Sequence, residues 1–350
     1  MKVSKIPGLG RFGVFVDDLD FNNLSDDDWL EIGKLHLKNL VTIIRNVNIT
    51  PRQYELLVYK WGVARELQTL RLMKKYQGAN WFDIGSQEVV NGIAVPEEDK
   101  KWVYNISHIM ATDIHKDTRL VKVSGKKSQD GAPEGLFAEG ELLWHSNESG
   151  QLCFTPGVGL LGVSGVVGSA TGFATTTDWY ESQSESFRSE LDEMIICHEF
   201  TPGRINPGLR IEQDQILYKN MCPTPQEIPL VIQSPGGITG LHYSVNTINT
   251  IKGMTITESQ KIFDIINGGI FSNNNIYDHW YQQDNDLLFF DNSITLHRRL
   301  GGITNRLCYR LQHDYSKIAP IISPYFQEPY KSQHDSILSE FLDIARKYNY

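Results

Sequence analysis

Strand-like segments dominate the chain from about residue 119 onward, and they limit the fold more than any other feature. Short apolar or alternating stretches are separated by glycine, proline and serine; they are residues 119–123, 141–145, 160–167, 286–290 and 306–311. Alternation of apolar and polar residues between clustered turn residues is typical of strands with one buried face. The sequence therefore predicts a mainly β core.

Helix signals are clearest in the first third of the chain. Ser25 precedes three aspartates and an apolar stripe, and Thr50 precedes Pro51 and a second stripe. Both patterns predict a helix N-terminus. A β-branched run at 40–44 lies between them and predicts a buried strand. Three later segments also predict helices: residues 180–194, a helix capped by Thr257 and stopped by Gly268, and an amphipathic tail from Asp335.

No repeat, low-complexity tract or convincing linker divides the sequence. We therefore expect one α+β domain over residues 1–350, mainly β with helical additions. Its parts are a helix-rich N-terminal part (1–118), a core with helical insertions (119–315) and a helical tail (316–350). The apolar stripe of the tail packs either on the core or on a second subunit. The sequence is therefore compatible with a monomer and with a homo-oligomer.

Charge and cysteine content narrow the functional classes. Lysine and arginine number 33 against 42 for aspartate and glutamate, which gives a net charge of −9 without any basic block. Such a chain is unlike one that binds nucleic acid by bulk charge, and no apolar run has the length of a membrane span. The four cysteines are scattered without a CxxC pair: Cys153, Cys197, Cys222 and Cys308. This pattern favours free thiols in a reducing compartment, so we expect a cytoplasmic protein.

A glycine-rich stretch at 157–162 matches the pattern GxGxxG. A dinucleotide site requires this loop to follow a strand and open a helix. Here it follows a Thr-Pro pair and runs into a valine- and glycine-rich segment. We therefore expect a strand bent at its glycines instead of a cofactor loop.

Two histidines end strand-like runs far apart in the sequence. His145 follows residues 142–144, and His297 follows the run that contains Asp291. Non-haem ferrous oxygenation needs two imidazoles and one carboxylate on one face of the metal. On a strand, residues i and i+2 share a face, so one strand can supply two ligands and a later strand the third. Arg306 and Arg310 follow His297, and an arginine there can bind the distal carboxylate of a keto acid. By spacing alone, however, a structural role is the better expectation for any single histidine.

The wider sequence resembles a known family. From about residue 15 to residue 315, its sequence blocks fall in the order of the taurine-dioxygenase-like (TauD/TfdA) branch of the Fe(II)/2-oxoglutarate-dependent oxygenases. The blocks are residues 24–26, 40–45, 49–51, 61–62, 144–145, 156, 159–161, 172–175, 241–243, 257–258, 280, 284–286, 291–292 and 297. No single block is decisive, and their order carries the resemblance.

The resemblance implies a double-stranded β-helix, or jelly roll, with a metal at its open end. It assigns His145 and His297 to Fe(II), with 2-oxoglutarate as co-substrate and O₂ as oxidant. It implies that Thr175 and Arg306 bind the distal carboxylate of 2-oxoglutarate. Arg310 completes this cofactor-binding set and lies closer to the primary substrate, often an anion in this family.

One position departs from the family pattern of His-x-Asp or His-x-Glu. This chain reads His145-Ser146-Asn147, and a neutral amide oxygen is a poorer ligand for a hard dication than a carboxylate. Either Asn147 is the third metal ligand, or Glu148 replaces it, or the site has lost its iron chemistry. The leading hypothesis is an oxygenase that hydroxylates or otherwise oxidises a small polar molecule and releases succinate and CO₂. The alternatives are a catalytically impaired jelly-roll binding protein and, less favoured, a halogenase, since asparagine fills the volume of the acid that halogenases replace by a small residue.

Overall fold

The computed structural model describes most of the chain. The described residues are 1–63, 72, 74–79, 81–107, 120–127, 129, 131, 134–137, 142–199, 226–272, 274–301 and 305–348. Cys222 lies outside them. Within them, Cys153 and Cys308 are buried free thiols and Cys197 is a half-buried one.

Helices lie between strands throughout the chain and at its C-terminal end. Within the described residues they are α1 (Asp26–Asn39), α2 (Pro51–Tyr59), α3 (Trp81–Ser86), α4 (Glu97–Ser107), α5 (Thr177–Ser182), α6 (Glu185–Glu193), α7 (Ile256–Ile270) and α8 (Tyr330–Lys347).

Strands form the centre of the molecule. They are β1 (Lys2–Lys5), β2 (Val14–Asp17), β3 (Val41–Ile44), β4 (Val89–Val90), β5 (Ile93–Ala94), β6 (Val121–Ser124), β7 (Leu142–His145), β8 (Gly157–Ser164), β9 (Ser169–Thr175), β10 (Ile195–His198), β11 (Gln226–Pro229), β12 (Val231–Gln233), β13 (Thr239–Leu241), β14 (Ile248–Ile251), β15 (Ile276–Trp280), β16 (Leu287–Asp291), β17 (Thr295–Gly301) and β18 (Leu307–His313).

Two sheets pack face to face. The larger has the order β1-β2-β3-β16-β8-β18-β6, and the smaller has the order β15-β9-β17-β7. Phe290 of the larger sheet contacts Phe173 of the smaller, with ring centroids 5.3 Å apart. Successive side chains on a strand point to opposite faces, so the apolar positions of both sheets meet in one core. The predicted mainly β, jelly-roll core is confirmed.

Each sheet is covered on its outer face by helices. On the larger sheet, Trp29 of α1 stacks on Trp61 with centroids 4.7 Å apart, and both contact Phe289 of β16. On the smaller sheet, helices α5 to α7 pack against Ala174 and Leu296. These helices bury the back of each sheet and leave the space between the sheets for the site.

Several local predictions are confirmed. Ser25 and Thr50 are N-caps whose side chains accept hydrogen bonds from the backbone three residues on. The glycine-rich stretch lies within β8, between β16 and β18, and does not open a helix. The tail forms α8, and its apolar stripe packs on this chain, where Phe341 and Ile344 join a cluster with Cys153. Among the described helices, none is long and apolar enough to cross a membrane.

Two helix predictions are wrong in detail. The helix predicted over 180–194 is two helices, because Gln183 is extended and the Ser184 side chain caps a new helix by accepting from the Phe187 N–H. The cap of α7 is Thr255 and not Thr257. Thr255 and Glu258 form a reciprocal capping box that fixes the start two residues earlier. The helix also runs past Gly268 to Ile270.

Candidate active site

The two predicted metal-binding histidines lie side by side. Strands β7 and β17 are neighbours in the smaller sheet, and their register places His145 directly opposite His297. Residues directly opposite each other in an antiparallel pair present their side chains on one face. The imidazole centroids are 4.1 Å apart, and both rings line a cavity between the sheets.

Both imidazoles are neutral at neutral pH. The Nδ1 atom of His145 lies 2.7 Å from the Leu143 carbonyl oxygen, so it carries the proton and leaves the Nε2 lone pair for a ligand. Burial lowers the pKa of His145 to about 4, and repulsion from Arg310 and Arg299 adds to the shift. Burial lowers the pKa of His297 well below its usual value, and repulsion from Arg310 and from a proton on His145 adds to the shift. Neutral imidazole is the form that binds a metal.

Asn147 follows β7 and lines the same cavity. Its backbone is clamped by Asn292, whose Oδ1 accepts from the Asn147 N–H at 2.7 Å and whose Nδ2 donates to the Asn147 carbonyl at 2.8 Å. The Nδ2 atom of Asn147 is buried and has no hydrogen-bond partner among the described residues. A side-chain amide can exchange the positions of its oxygen and nitrogen, so Asn147 can turn an oxygen towards a ligand in the cavity.

Glu148 is held away from the histidine pair. Its backbone has a positive φ of 58°, which turns the chain after Asn147. Its carboxylate accepts a hydrogen bond of 2.8 Å from the Thr155 N–H, and it is not among the residues that line the cavity. Within the described part of the chain, no three His, Cys, Asp or Glu side chains cluster as a metal site. Of the described residues, the metal donors at this cavity are therefore two imidazoles and one amide.

Arg306 is a buried cation at the far side of the cavity, with 2% of its surface exposed. It donates from Nε to the Cys308 sulfur at 3.1 Å and from Nη2 to the Thr171 hydroxyl at 3.3 Å. Its Nη1 is buried and has no hydrogen-bond partner among the described residues. A guanidinium fixed in this way, with one donor left over, is suited to bind a carboxylate.

The cavity lining is rich in arginine. The polar groups that line it are His145, Asn147, Thr171, His297, Arg298, Arg299, Arg306 and Arg310. Arg298 also forms an ion pair with Asp278 at 2.7 Å. Val158, Leu160 and Phe290 supply an apolar wall. Arg306 and Arg310 were predicted from the sequence but Arg299 was not, although it stands two residues after His297 and so shares its face.

Thr175 lies apart from the other predicted site residues. It is buried on β9 and faces Thr295, whereas Thr171 faces Arg299 on the other side of His297. Four residues on a strand span roughly 13 Å, so only one of these threonines can lie beside Arg306. The structure places Thr171 there and leaves Thr175 outside the cavity lining.

Several other aromatic and histidine side chains belong to the packing around the site. Tyr243 is buried in the core behind the smaller sheet, and Trp144 stacks on Phe271. Trp280 is partly exposed, at 46%. His242 stacks on Phe154 with centroids 4.6 Å apart. They lie outside the residues that line the cavity.

The sequence model described as "Taurine catabolism dioxygenase TauD, TfdA family" matches residues 3–312 of this chain. The chain belongs to this family. The match confirms the predicted family and enzyme class, that of 2-oxoglutarate-dependent dioxygenases. It also supports Fe(II), 2-oxoglutarate and O₂ as the cofactor set at the level of the family. No curated protein matches the sequence significantly.

Solved structures share the fold of this dioxygenase family member. A crystal structure of AAD-2 in complex with Mn(II) and N-oxalylglycine superposes with a TM-score of 0.60 at 17% identity, covering 93% of this chain and 100% of that chain. A taurine dioxygenase from Burkholderia xenovorans gives a TM-score of 0.58 at 16% identity, covering 89% of this chain and 90% of that one. At this level of identity the similarity establishes the architecture.

Proposed function

We propose that this chain is an Fe(II)- and 2-oxoglutarate-dependent oxygenase that hydroxylates or otherwise oxidises a small, polar, anionic molecule and releases succinate and CO₂. The observation that carries the proposal is the convergence of His145 and His297 on one cavity that also contains Arg306. The two histidines come from strands far apart in sequence, and packing alone does not require two neutral imidazoles beside a buried guanidinium.

His145, His297 and Asn147 would hold the metal. When bound, iron together with 2-oxoglutarate and O₂ supplies the oxidising chemistry of this enzyme class. The Leu143 carbonyl fixes the tautomer of His145, and Asn292 fixes the backbone of Asn147. These contacts pre-orient the donors, so less order has to be gained when the metal binds.

Arg306 and Thr171 would hold the distal carboxylate of 2-oxoglutarate. The Thr171 hydroxyl already accepts from Arg306 and can donate its own proton to a carboxylate oxygen. Thr171 thus takes the role that the family resemblance assigned to Thr175. Phe290 and Leu160 would keep water away from the reacting end of the cavity.

Arg310 would face the primary substrate. It lies on β18 four residues after Arg306, on the same face of the strand, and lines the same cavity. A guanidinium in this position favours a substrate with a carboxylate, sulfonate or similar group.

We further propose that this chain is a single-domain, cytoplasmic enzyme, monomeric or homo-oligomeric. It does not act on nucleic acid or at a membrane. The buried free thiols of Cys153 and Cys308 support a reducing compartment. The net charge of −9 argues against a nucleic-acid substrate.

Asn147 supports a second candidate function, a binding protein with impaired turnover. An amide offsets no charge of a dication, so iron would be held more weakly than by a carboxylate. A halogenase has less support, because asparagine occupies the space that a halide would need.

The deciding experiment measures succinate formed from 2-oxoglutarate by the purified chain with Fe(II), ascorbate and air, with a panel of small anions. We expect succinate above the background of the His297→Gln variant, which keeps a polar side chain but removes one imidazole. Tight binding of 2-oxoglutarate without succinate for any candidate would favour the impaired binding protein. If the chain neither binds 2-oxoglutarate nor forms succinate, the proposed function is refuted.

A further inference from the structure

Four arginines line the cavity that holds the histidine pair. Arg298 is paired with Asp278, the other three are Arg299, Arg306 and Arg310, and the described lining residues include no aspartate or glutamate. Arg299 and Arg306 are only 4% and 2% exposed. Like charges held close together in a buried space repel one another, and a bound anion relieves that repulsion, so this arrangement favours an anion-binding site.

Arg299 is placed at the same end of the cavity as Arg306. It stands two residues after His297 on β17 and directly opposite Thr171 on β9. Thr171 in turn accepts a hydrogen bond from Arg306. The Nη1 of Arg299 donates to the Phe137 carbonyl at 2.6 Å, which holds its head group in place. Two guanidiniums and one hydroxyl therefore surround one end of the cavity.

Among the residues that the structure describes, none gives a negative charge to a metal at the other end of the cavity. Its donors are two neutral imidazoles and the amide of Asn147, where the family pattern has a carboxylate. The guanidiniums of Arg310 and Arg299 line the same cavity as His145 and repel positive charge there. They would repel a divalent cation there about twice as strongly as a single proton, because Coulomb energy scales with charge.

We propose that Arg299 is an additional residue of the 2-oxoglutarate site, and that this cavity binds 2-oxoglutarate before it binds the metal. The inference rests on the proposed function. Two carboxylates from the co-substrate would neutralise part of the guanidinium charge and make the histidine end attractive to a dication. Linkage then requires that each ligand raises the affinity of the other by the same factor.

The order of binding is tested by calorimetry on the full chain stripped of metal with a chelating resin. We expect 2-oxoglutarate to bind without metal, and Mn(II) alone to bind weakly. With 2-oxoglutarate present, the affinity for Mn(II) should rise about tenfold or more, because two negative charges join the site. N-oxalylglycine serves as a second dicarboxylate probe that cannot turn over.

The role of Arg299 is tested with three variants in the metal-free titration. Arg299→Gln should weaken 2-oxoglutarate binding about tenfold or more, and Arg299→Lys, which keeps the charge, should restore much of the loss. Arg45→Gln is the control, because Arg45 lies outside the cavity lining, is already engaged by Asp17 and should change the affinity by less than about threefold. Thermal melting verifies that each variant is folded.

The outcomes separate the inference from the function on which it rests. If 2-oxoglutarate binds only when Mn(II) is present, the binding order is wrong and the proposed function stands. If Arg299→Gln and Arg45→Gln have equal effects, Arg299 is not part of the site. If 2-oxoglutarate binds neither with nor without Mn(II), the proposed function itself fails. Metal-free binding that is lost in Arg299→Gln and restored in Arg299→Lys supports the inference.

Discussion

At the scale of single residues, Asn147 decides how this site differs from the pattern of its family. Its side chain lines the cavity, while the neighbouring Glu148 carboxylate is held by the Thr155 N–H. The sequence alone left both residues open as the third ligand. Alternation pointed to Asn147, but only the positive φ of Glu148 and its hydrogen bond show where the acid goes.

The ligand role of Asn147 leads to a direct prediction. Asn147→Asp should tighten Mn(II) binding at least about tenfold, because a carboxylate adds a negative charge at the metal. Glu148→Gln is the matched control: it removes a charge one residue away, keeps an acceptor for Thr155, and should leave the Mn(II) affinity within about twofold. Calorimetry with Mn(II) measures both variants. The opposite ranking would make Glu148 the ligand.

Asn292 is a second residue whose importance only the structure reveals. Its amide is fully buried. The Oδ1 atom accepts from the Asn147 N–H, and the Nδ2 atom donates to the carbonyls of Asn147 and Thr155. Asn292→Ala leaves these backbone groups without partners, which should lower the free energy of unfolding by about 2–4 kcal/mol. The exposed Asn23, which bonds only to Asp20 through its side chain, provides the control; Asn23→Ala should cost less than about 0.5 kcal/mol.

Chemical denaturation measures the stability of both variants, and Mn(II) titration at a temperature where they are folded measures the site. Asn292→Ala should also weaken Mn(II) binding about tenfold, because Asn147 loses its backbone clamp. A loss of stability with unchanged Mn(II) affinity would show that Asn292 supports the fold alone.

At the scale of elements, local sequence predicts where a strand or helix forms. Which residues of another element it contacts depends on pairing between segments that are distant in sequence. The β7 and β17 runs were recognisable from their apolar residues, and both histidines stood at or near their ends. Their register, however, joins residues 145 and 297, and no local pattern specifies it. Thr171 and Thr175 illustrate the limit, because both lie on the inward face of β9 and only the register with β17 separates them.

Helix starts are more predictable, and α7 shows the remaining uncertainty. Two threonines lie near its start, and the capping box of Thr255 with Glu258 selects the first. Thr255→Ala should lower the free energy of unfolding by about 1 kcal/mol, because the Glu258 N–H loses its acceptor. Thr257→Ala is the matched control within the first turn and should change it by less than about 0.5 kcal/mol. Urea denaturation measures both, and equal effects would contradict the capping assignment.

At the scale of the whole molecule, the fold buries several neutral histidines that the sequence could not distinguish from exposed ones. Burial lowers the pKa of His36 and His198 to about 3 and that of His242 to about 4. Burial acts oppositely on Asp291 and raises its pKa to about 7. Which of the ten histidines are buried depends on packing between elements distant in sequence, and composition cannot show it.

These shifts predict how stability depends on pH. The unfolded chain protonates the three histidines near pH 6.5, whereas the folded chain keeps them neutral until about pH 4. Their contribution to the free energy of unfolding is therefore complete above about pH 6.5 and is lost as the pH falls towards 4. Asp291 opposes this, since the folded state keeps its proton up to about pH 7 and the unfolded state releases it above about pH 4. His145 and His297 are buried and neutral as well, so five histidines take up protons in the unfolded chain and Asp291 offsets one of them. The unfolded state thus binds about four more protons between about pH 4 and 6.5, and the free energy of unfolding should fall by up to about 5 kcal/mol per pH unit.

Urea denaturation at pH 7.5, 6.5, 5.5 and 5.0 measures this slope. Salt provides the control, because desolvation of buried imidazoles is not screened, whereas repulsion between exposed charges is. The slope should therefore be nearly equal at 0.1 and 0.5 M NaCl, which are concentrations chosen to change the Debye length about twofold. A stability that stays flat down to pH 5.0 would mean that the buried histidines accept protons in the folded state. A slope that disappears in high salt would instead assign the acid sensitivity to surface charge.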